Sequence, residues 1–330
     1  MKLTPEYGRL RMDITAQGKP DRRKSIWQMV NTIIPFILLW AAAYLCLSVS
    51  VWITWALGIV AAGFLVRIFI IFHDCCHFSF FSSKRANAIV GTITGILTFF
   101  PYEQWKNEHA IHHATSGNLS RRGTGDIWTL TTDEYAALSF WKRLVYRLYR
   151  NPLVMFGLGP IYIFLVAYRV NRREAKRKER LNTYLTNVSI ALMMAILCWT
   201  LGWQEALLVY VPILYVAGAA GIWLFYVQHQ FEDTYFEHAE EWDYVSAAMQ
   251  GSSYYKLPKI LQWLTGNIGF HHIHHLVPQA TNYRLEHIHQ SHEVLRNVPA
   301  IGIRMSLQSL RYRLWDETNK RFVGFRAVRR

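Results

Sequence analysis

Apolar residues in this chain are concentrated in six long runs, which polar and basic segments separate. The runs cover about residues 28–49, 51–72, 88–101, 152–168, 185–201 and 206–228. A helix needs about 20 mostly apolar residues to cross the hydrocarbon core of a bilayer, and several of the runs approach that length. The pattern therefore predicts an all-α integral membrane protein, because only helices and closed barrels satisfy their own backbone inside lipid.

The composition agrees with this prediction. Hydrophobic residues make up 52% of the 330 residues, and the formal net charge is +14. Lys and Arg accumulate on the cytoplasmic side of membrane proteins, so residues 1–27, which are polar and basic, are predicted to be a cytoplasmic N-terminal segment. The basic residues flank apolar runs and form no nucleic-acid-binding motif, so no nucleic-acid partner is expected.

Histidines form three clusters, each close to an apolar run. Their members at helical spacing are His73, His77, His109, His112, His113, His271, His274 and His275. Residues three and four positions apart lie on one face of a helix, and neutral imidazole is the commonest metal ligand. The clusters therefore predict a metal site. His272 lies at the edge of the arc that its neighbours share, so it is not included.

His229 directly follows the last apolar run, at the expected membrane level of His73, and is the predicted ninth ligand. Nine imidazoles exceed what one ion can bind, so two ions with four or five protein ligands each are expected. The residues alone leave iron, copper and zinc open. The isolated histidines are expected to be surface or structural residues; these are His238, His287, His289 and His292.

The number of membrane crossings follows from the histidine clusters. One metal centre requires all clusters on one side, so only an even number of crossings can separate them. Run 88–101 stands alone between the first two clusters and is too short, while run 152–168 has basic residues on both sides. Four spans in two hairpins remain, at 28–49, 51–72, 185–201 and 206–228.

The expected organisation is then a membrane domain over residues 28–275 and a cytoplasmic, helical C-terminal cap over residues 276–330. Both termini and all histidine clusters would face the cytoplasm, in the cell membrane. Polar groups near the clusters are candidates for orienting the imidazoles through their second nitrogen. These candidates are Asp74, Glu108, Asp126, Glu232 and Asp233. Asn267, four residues before His271, is a candidate for a water-bridged tenth metal position.

Longer segments resemble those of the membrane fatty acid desaturase superfamily. They are FHDCCH (72–77), HHATS (112–116), RGTGDIW (122–128), YVQHQFED (226–233), GSSYYKLP (251–258) and GNIGFHHIHH (266–275). The resemblance runs from about residue 25 to the C-terminus. It is closest to the bacterial acyl-lipid desaturases, of the delta-5 phospholipid type.

The resemblance implies a di-iron centre that uses dioxygen to place a cis double bond in saturated acyl chains of membrane phospholipids. It assigns the iron to the same nine histidines. Animal acyl-CoA desaturases have an Asn four residues before the histidine that matches His229; here that residue is Phe225. The reaction needs two electrons, and the chain has no dinucleotide, iron–sulfur or haem motif. A ferredoxin or flavodoxin-type donor is therefore expected.

Two alternatives remain open from the sequence. One is a hydroxylase of the same superfamily that acts on lipid, alkane or carotenoid. The other is a membrane metal transporter or sensor. Transporters bind their substrates near the membrane midplane, whereas these clusters follow the ends of the predicted spans.

Overall fold

The computed structural model describes residues 5–328, which are mostly helical. Residues 1–4 and 329–330, at the ends of the expected N-terminal segment and C-terminal cap, lie outside the described residues. The first seven helices are α1 (Pro5–Gln17), α2 (Arg22–Leu45), α3 (Val51–Cys76), α4 (Lys84–Leu97), α5 (Tyr102–Thr115), α6 (Thr132–Ala137) and α7 (Phe140–Tyr149). A short helix, α8 (Gly159–Tyr162), lies between the π-helical segments Leu153–Leu158 and Ile163–Ala167.

The remaining helices are α9 (Arg177–Leu201), α10 (Trp203–His229), α11 (Tyr244–Met249), α12 (Lys259–Leu264), α13 (His271–Leu276), α14 (Leu285–Ser291), α15 (Glu293–Arg296) and α16 (Ile303–Ser306). Short 3₁₀ turns cover Cys46–Ser48, Leu119–Arg121, Asn282–Arg284, Leu307–Arg311 and Phe325–Val328. The strands are β1 (Leu130–Thr131), β2 (Tyr254–Lys256), β3 (Ala300–Gly302), β4 (Leu314–Asp316) and β5 (Arg321–Val323).

Within residues 5–328, four helical segments are long and apolar enough to cross a membrane. They are Arg22–Ser48, Val51–Cys76, Arg177–Leu201 and Trp203–His229. The prediction of an all-α protein with four candidate spans is thus confirmed. The helices extend several residues beyond the apolar runs, because backbone hydrogen bonds continue into polar sequence without needing lipid contact. Helix α2 packs on α3 and α9 on α10; the two-hairpin arrangement stays a prediction.

The two runs that were predicted not to span differ from each other in the structure. Helix α4 has 14 residues, which gives it a length of about 21 Å, short of the hydrocarbon thickness. Helix α7 and the segment Leu153–Ala167 are together long and apolar enough to cross a membrane, but they are bent by 61° at their junction. They would make a fifth candidate span only as a broken one, so the non-spanning assignment of 152–168 stays a prediction.

Helix α3 lies at the centre of the bundle and packs against α2, α4 and α10. Gly91 of α4 lets the ring of Tyr102 approach closely, and the Tyr102 hydroxyl donates a hydrogen bond to the carbonyl of Cys75 (2.8 Å). This contact fixes the start of α5 beside the end of α3. The two helices that carry the first two histidine clusters are therefore held side by side.

Two small sheets join strands of the C-terminal part to earlier segments, and the expectation of a helical cap did not include them. Strand β2 pairs in parallel with β3, and β4 pairs with both β1 and β5. Each strand has only two or three residues, too few for an alternating pattern to be recognised. Strand β2 also bridges Phe270, the residue before α13, and so helps to position the third histidine cluster.

The close contact at Gly91 can be tested by adding one methyl group. A Cβ at Gly91 would overlap the Tyr102 ring, whereas a Cβ at Gly221 in α10 meets nothing within 4 Å. We expect Gly91→Ala to lower stability by about 1–3 kcal/mol, as overpacking does, and Gly221→Ala to leave it unchanged. Thermal unfolding in detergent measures both variants. Equal unfolding temperatures would show that the α4–Tyr102 contact is not tight.

Candidate metal centre

The structure brings all nine predicted histidines together in two groups. The first group is His73, His77, His109, His113 and His274, and the second is His112, His229, His271 and His275. In each group, one nitrogen of every ring lies within 4.8 Å of the others. All nine are buried except His77, which is partly exposed. Within residues 5–328, these are the groups of side chains that could hold a metal ion.

Two of the three histidine clusters of the sequence are divided between the two groups, whereas His73 and His77 both lie in the first group. In α5, His109 and His113 join the first group, while His112 joins the second. A step of four residues advances a helix by about 40° beyond a full turn, whereas a step of three falls about 60° short of one. The i and i+4 rings therefore share one group and the i+3 ring points to the other. Helix α13 follows the same rule, with His274 as the i+3 member.

Seven of the nine Nε2 atoms lie close to another Nε2 atom of their group. In the first group, His109 Nε2 lies 3.1 Å from Nε2 of both His73 and His113. In the second group the Nε2 to Nε2 distances are 3.2 Å for His112 and His229, 3.0 Å for His229 and His271, and 3.1 Å for His271 and His275. Two imidazoles that share an ion at about 2.1 Å, roughly at right angles, are separated by about 3.0 Å.

Hydrogen bonds at the opposite ring nitrogens define where the protons lie. His112 Nδ1 donates to the Asp126 carboxylate (2.6 Å), and His229 Nδ1 donates to the carbonyl of Gly251 (3.0 Å). A neutral imidazole that donates from Nδ1 carries a lone pair on Nε2. The lone pairs of His112 and His229 therefore face each other, which is repulsive unless a cation lies between them. The donor set fits a metal ion.

Burial also keeps these rings available as ligands. It lowers the pKa of the ligand candidates outside the candidate spans well below the usual range, and the neighbouring imidazoles lower it further. The rings affected are His77, His109, His113, His271, His274 and His275. They are neutral at physiological pH, and metal ions bind neutral imidazole.

Two of the five predicted carboxylates contact a histidine ring. Besides Asp126, Asp74 Oδ1 lies 3.3 Å from His73 Nδ1. Asp74 Oδ2 accepts hydrogen bonds from the backbone N–H and the side-chain amide of Asn282, both at 2.8 Å. The side-chain amide of Gln28 in turn donates a hydrogen bond to the side-chain oxygen Oδ1 of Asn282 (3.1 Å). A buried chain of hydrogen bonds thus leads from α2 through Asn282 to a ring of the first group.

The other candidates have different partners. Glu108 accepts from Gln104 (3.2 Å) and lies 3.4 Å from Arg172. Glu232 and Asp233 are exposed, and Glu232 accepts a hydrogen bond from the Tyr312 hydroxyl. The Asn267 amide bonds to Gln262 and to the Asn282 backbone carbonyl, so its polar atoms are already engaged.

The remaining histidines lie outside both groups. His272 is fully buried, with its ring 5.4 Å from that of His289, and burial lowers its pKa to about 3. His238 and His287 are exposed, and His238 pairs with Glu317 (2.7 Å). His292 contacts Gln17.

Phe225 occupies the side of the second group that opens to a small pocket. Its ring centroid lies 5.0 Å from that of His112 and 5.4 Å from that of His229. Asp126 and Arg122 line the same pocket. The second group therefore has four histidines and an aromatic wall, against five histidines in the first.

Sequence reasoning missed Gly251, Asn282 and Gln28 as supporting groups. Gly251 begins one of the segments that carry the family resemblance, which was the available signal for it. Asn282 is 208 residues from Asp74 and Gln28 is 254 residues from Asn282, and no local pattern links residues so far apart.

Comparison with known proteins agrees with this site. The fatty acid desaturase family model matches residues 50–308. A fatty acid desaturase of Bacillus subtilis (strain 168) is 59% identical over 320 residues, which cover 97% of this chain and 91% of that protein. A chloroplastic omega-6 fatty acid desaturase of Brassica napus is 30% identical over 258 residues, which cover 72% of this chain and 53% of that longer protein.

The chain therefore belongs to the fatty acid desaturase family. Membership makes it a membrane oxidoreductase, and it implies a lipid acyl substrate and oxygen. The histidine groups described above are the part of the chain that could bind the metal this chemistry requires.

The role of Asp126 can be tested by metal retention. We expect Asp126→Ala to weaken metal binding by about 10- to 100-fold, as loss of a group that orients a ligand typically does, because His112 loses the acceptor for its Nδ1–H. Asp133→Ala, at an exposed position of α6, is the control. Metal content after dialysis against graded chelator measures the effect. Equal retention in the two variants would exclude this role.

Proposed function

We propose that this chain is an acyl-lipid desaturase that introduces a cis double bond into saturated acyl chains of membrane phospholipids, with two iron ions held by the nine histidines. One observation carries the proposal: two groups of buried imidazoles converge through their Nε2 atoms in a chain of the desaturase family. The 59% identity to a bacterial fatty acid desaturase supports it.

The chemistry of the substrate requires such a centre. A saturated methylene has no acidic proton and no polar handle, so side-chain acids and bases alone cannot remove its hydrogens. Iron, when bound, supplies the dioxygen-dependent oxidation that side chains cannot perform. Imidazole suits iron, and the five-plus-four division of the rings supports two ions rather than one.

The protein's part in the reaction is to hold the rings still and to keep water out. Asp74, Asp126 and the Gly251 carbonyl each fix the orientation of one ring through its Nδ1 atom. The indole of Trp105 stacks on His109 with the ring centroids 4.2 Å apart, and Phe225 covers one side of the second group. Apolar walls of this kind exclude solvent that would compete with an acyl chain.

The proposal includes an orientation. Basic residues follow the segment Leu153–Ala167 and precede α9, which supports a cytoplasmic position for this loop by the positive-inside rule. The histidine groups, the segment 1–27 and the cap over 276–330 would share that side, with residues 28–275 as the membrane domain in two hairpins. The basic surface would attract an acidic ferredoxin or flavodoxin as the electron donor.

The position of the double bond is part of the same proposal. The segments that resemble the bacterial acyl-lipid desaturases support a delta-5 phospholipid activity. Mass spectrometry of the double-bond position in lipids from expressing cells tests it, and a bond at another position would reject the delta-5 assignment while leaving the desaturase itself in place.

Lipid analysis of expressing cells tests the activity. We expect wild type and His287→Ala to produce new unsaturated chains, because His287 is exposed and outside both groups, and His112→Ala to produce at least 100-fold less, because it removes a ligand of the second group. An absence of new unsaturated chains in the wild type would refute the desaturase. A hydroxylated product in their place would indicate the hydroxylase alternative.

Metal analysis tests the two-ion assignment. We expect about two iron ions per purified chain and about one in His275→Ala, because this variant leaves the second group with only three rings. His287→Ala should retain both. A single ion in the wild type, or zinc in place of iron, contradicts the assignment. Metal uptake by cells without any lipid oxidation would favour a transporter.

A further inference from the structure

Helix α7 presents an apolar face that nothing in the described chain covers. Its exposed residues are Phe140, Trp141, Leu144, Val145 and Leu148, and Phe140 and Trp141 are each 72% exposed. At 100° per residue these five side chains span an arc of about 140°. Soluble proteins rarely leave so wide an apolar face in contact with water.

The opposite face of α7 is fastened to the protein. The Tyr146 hydroxyl, which is fully buried, donates to the Arg313 carbonyl (2.6 Å) and accepts from the Leu130 N–H (3.1 Å). At the border of the arc, Arg147 also donates to the Tyr135 hydroxyl (2.5 Å). The helix is therefore held rigidly with its apolar face outward.

The charges on α7 are all positive. Arg143 and Arg147 border one side of the apolar arc and Lys142 borders the other, while Phe140–Tyr149 contains no acidic residue. An amphipathic helix with Trp, Phe and Leu on one side and Lys and Arg beside them is typical of helices that lie in a membrane interface. Its positive border complements anionic lipid headgroups.

The apolar face also continues into a second exposed apolar segment. After a short break, the chain enters Leu153–Ala167, where Leu153 is 83% exposed and Leu165 is 65% exposed. The two pieces meet at 61°. Ten residues of helix rise about 15 Å, only half of the hydrocarbon thickness, so α7 cannot cross by itself. A steep bend at this point lets α7 lie flat while the next segment enters the lipid.

We infer that α7 is an interfacial anchor that binds the anionic phospholipid surface of the membrane, with its apolar arc among the acyl chains and its basic borders at the phosphates. Nothing in this inference depends on the desaturase activity. It does assign the segment Leu153–Ala167, beyond the bend, to the lipid. Helix α7 is then a surface helix beside the four candidate spans and not part of a fifth span.

The anchor is also connected to the metal centre. Arg150, the residue directly after α7, is fully buried and donates to the Gln230 side chain (2.8 Å) and to the Tyr312 carbonyl (2.9 Å). Gln230 directly follows His229 of the second group. The depth of α7 in the membrane interface therefore helps to set the depth of the histidine groups relative to the membrane surface.

Spin labels on the full-length protein test the anchor. A nitroxide is attached at Val145→Cys or Trp141→Cys on the apolar arc, or at Glu240→Cys, an exposed control in a loop. The partly exposed Cys46 and Cys198 are first replaced by Ser, whereas Cys75 and Cys76 are buried. The protein is reconstituted in nanodiscs of phosphatidylcholine with or without phosphatidylglycerol, and collisions with dioxygen and with a neutral nickel chelate are measured.

We expect labels at both arc positions to collide with dioxygen at least fivefold more than with the chelate, relative to the label at Glu240. In discs without phosphatidylglycerol, access of the chelate to the arc labels should rise at least twofold. Arc labels as open to the chelate as Glu240 would overturn the membrane assignment. If the arc labels are protected from both reagents, and the nitroxides of two protein copies show strong dipolar coupling, the apolar arc binds a second copy of this chain. That result would overturn the membrane assignment. Equal access in both lipid mixtures would overturn the anionic preference.

Discussion

The convergence of imidazole lone pairs is the constraint on which this structure depends. Nine rings are packed in two small volumes, and the Nε2 atoms of seven of them approach one another to 3.0–3.2 Å. Burial lowers the pKa of six of these rings, so those rings stay neutral and protonation does not relieve the repulsion between them. The surrounding helices must therefore hold the rings against each other, and a bound cation would convert the repulsion into attraction. The close packing of α4 on Tyr102 and the fixed Nδ1 partners all serve this arrangement.

The rings are held through hydrogen bonds between the spans and the part of the chain that follows α13. Asn282 connects Gln28 of α2 with Asp74 of α3, and Thr281 bonds to carbonyls of Ser79 and Gly18. These groups are buried, where an unpaired polar atom is costly and a complete network rigidifies its surroundings. These hydrogen bonds thus fix the position of residues 281 and 282 relative to α2 and α3. That precision is what a site built from four separate helices requires.

Sequence patterns predicted the four long helices and the nine histidines, because both signals are local. His229 was found in the same way, from its position at the end of an apolar run. The division of His109 and His112 between two groups was not predicted: their rings differ by about 60° around α5, and the positions of the neighbouring helices decide whether that difference separates them. Of five nearby carboxylates only Asp74 and Asp126 meet a ring, because proximity in sequence does not decide direction. The Gly251 partner is a backbone carbonyl, which no side-chain pattern reveals, and the short strands are below the length at which alternation is visible.

The division of α5 and α13 between the two groups has a consequence for how the protein is assembled. An ion in the first group would join His73 to His274, and one in the second would join His112 to His275. Each bond would close a loop of well over a hundred residues, and both loops pass through the same two short helices. The two ions would then cross-link the same two helices, α5 and α13, and would restrict the unfolded chain as disulfides do. Metal binding would then contribute to the stability of the fold by holding α13 against the long helices.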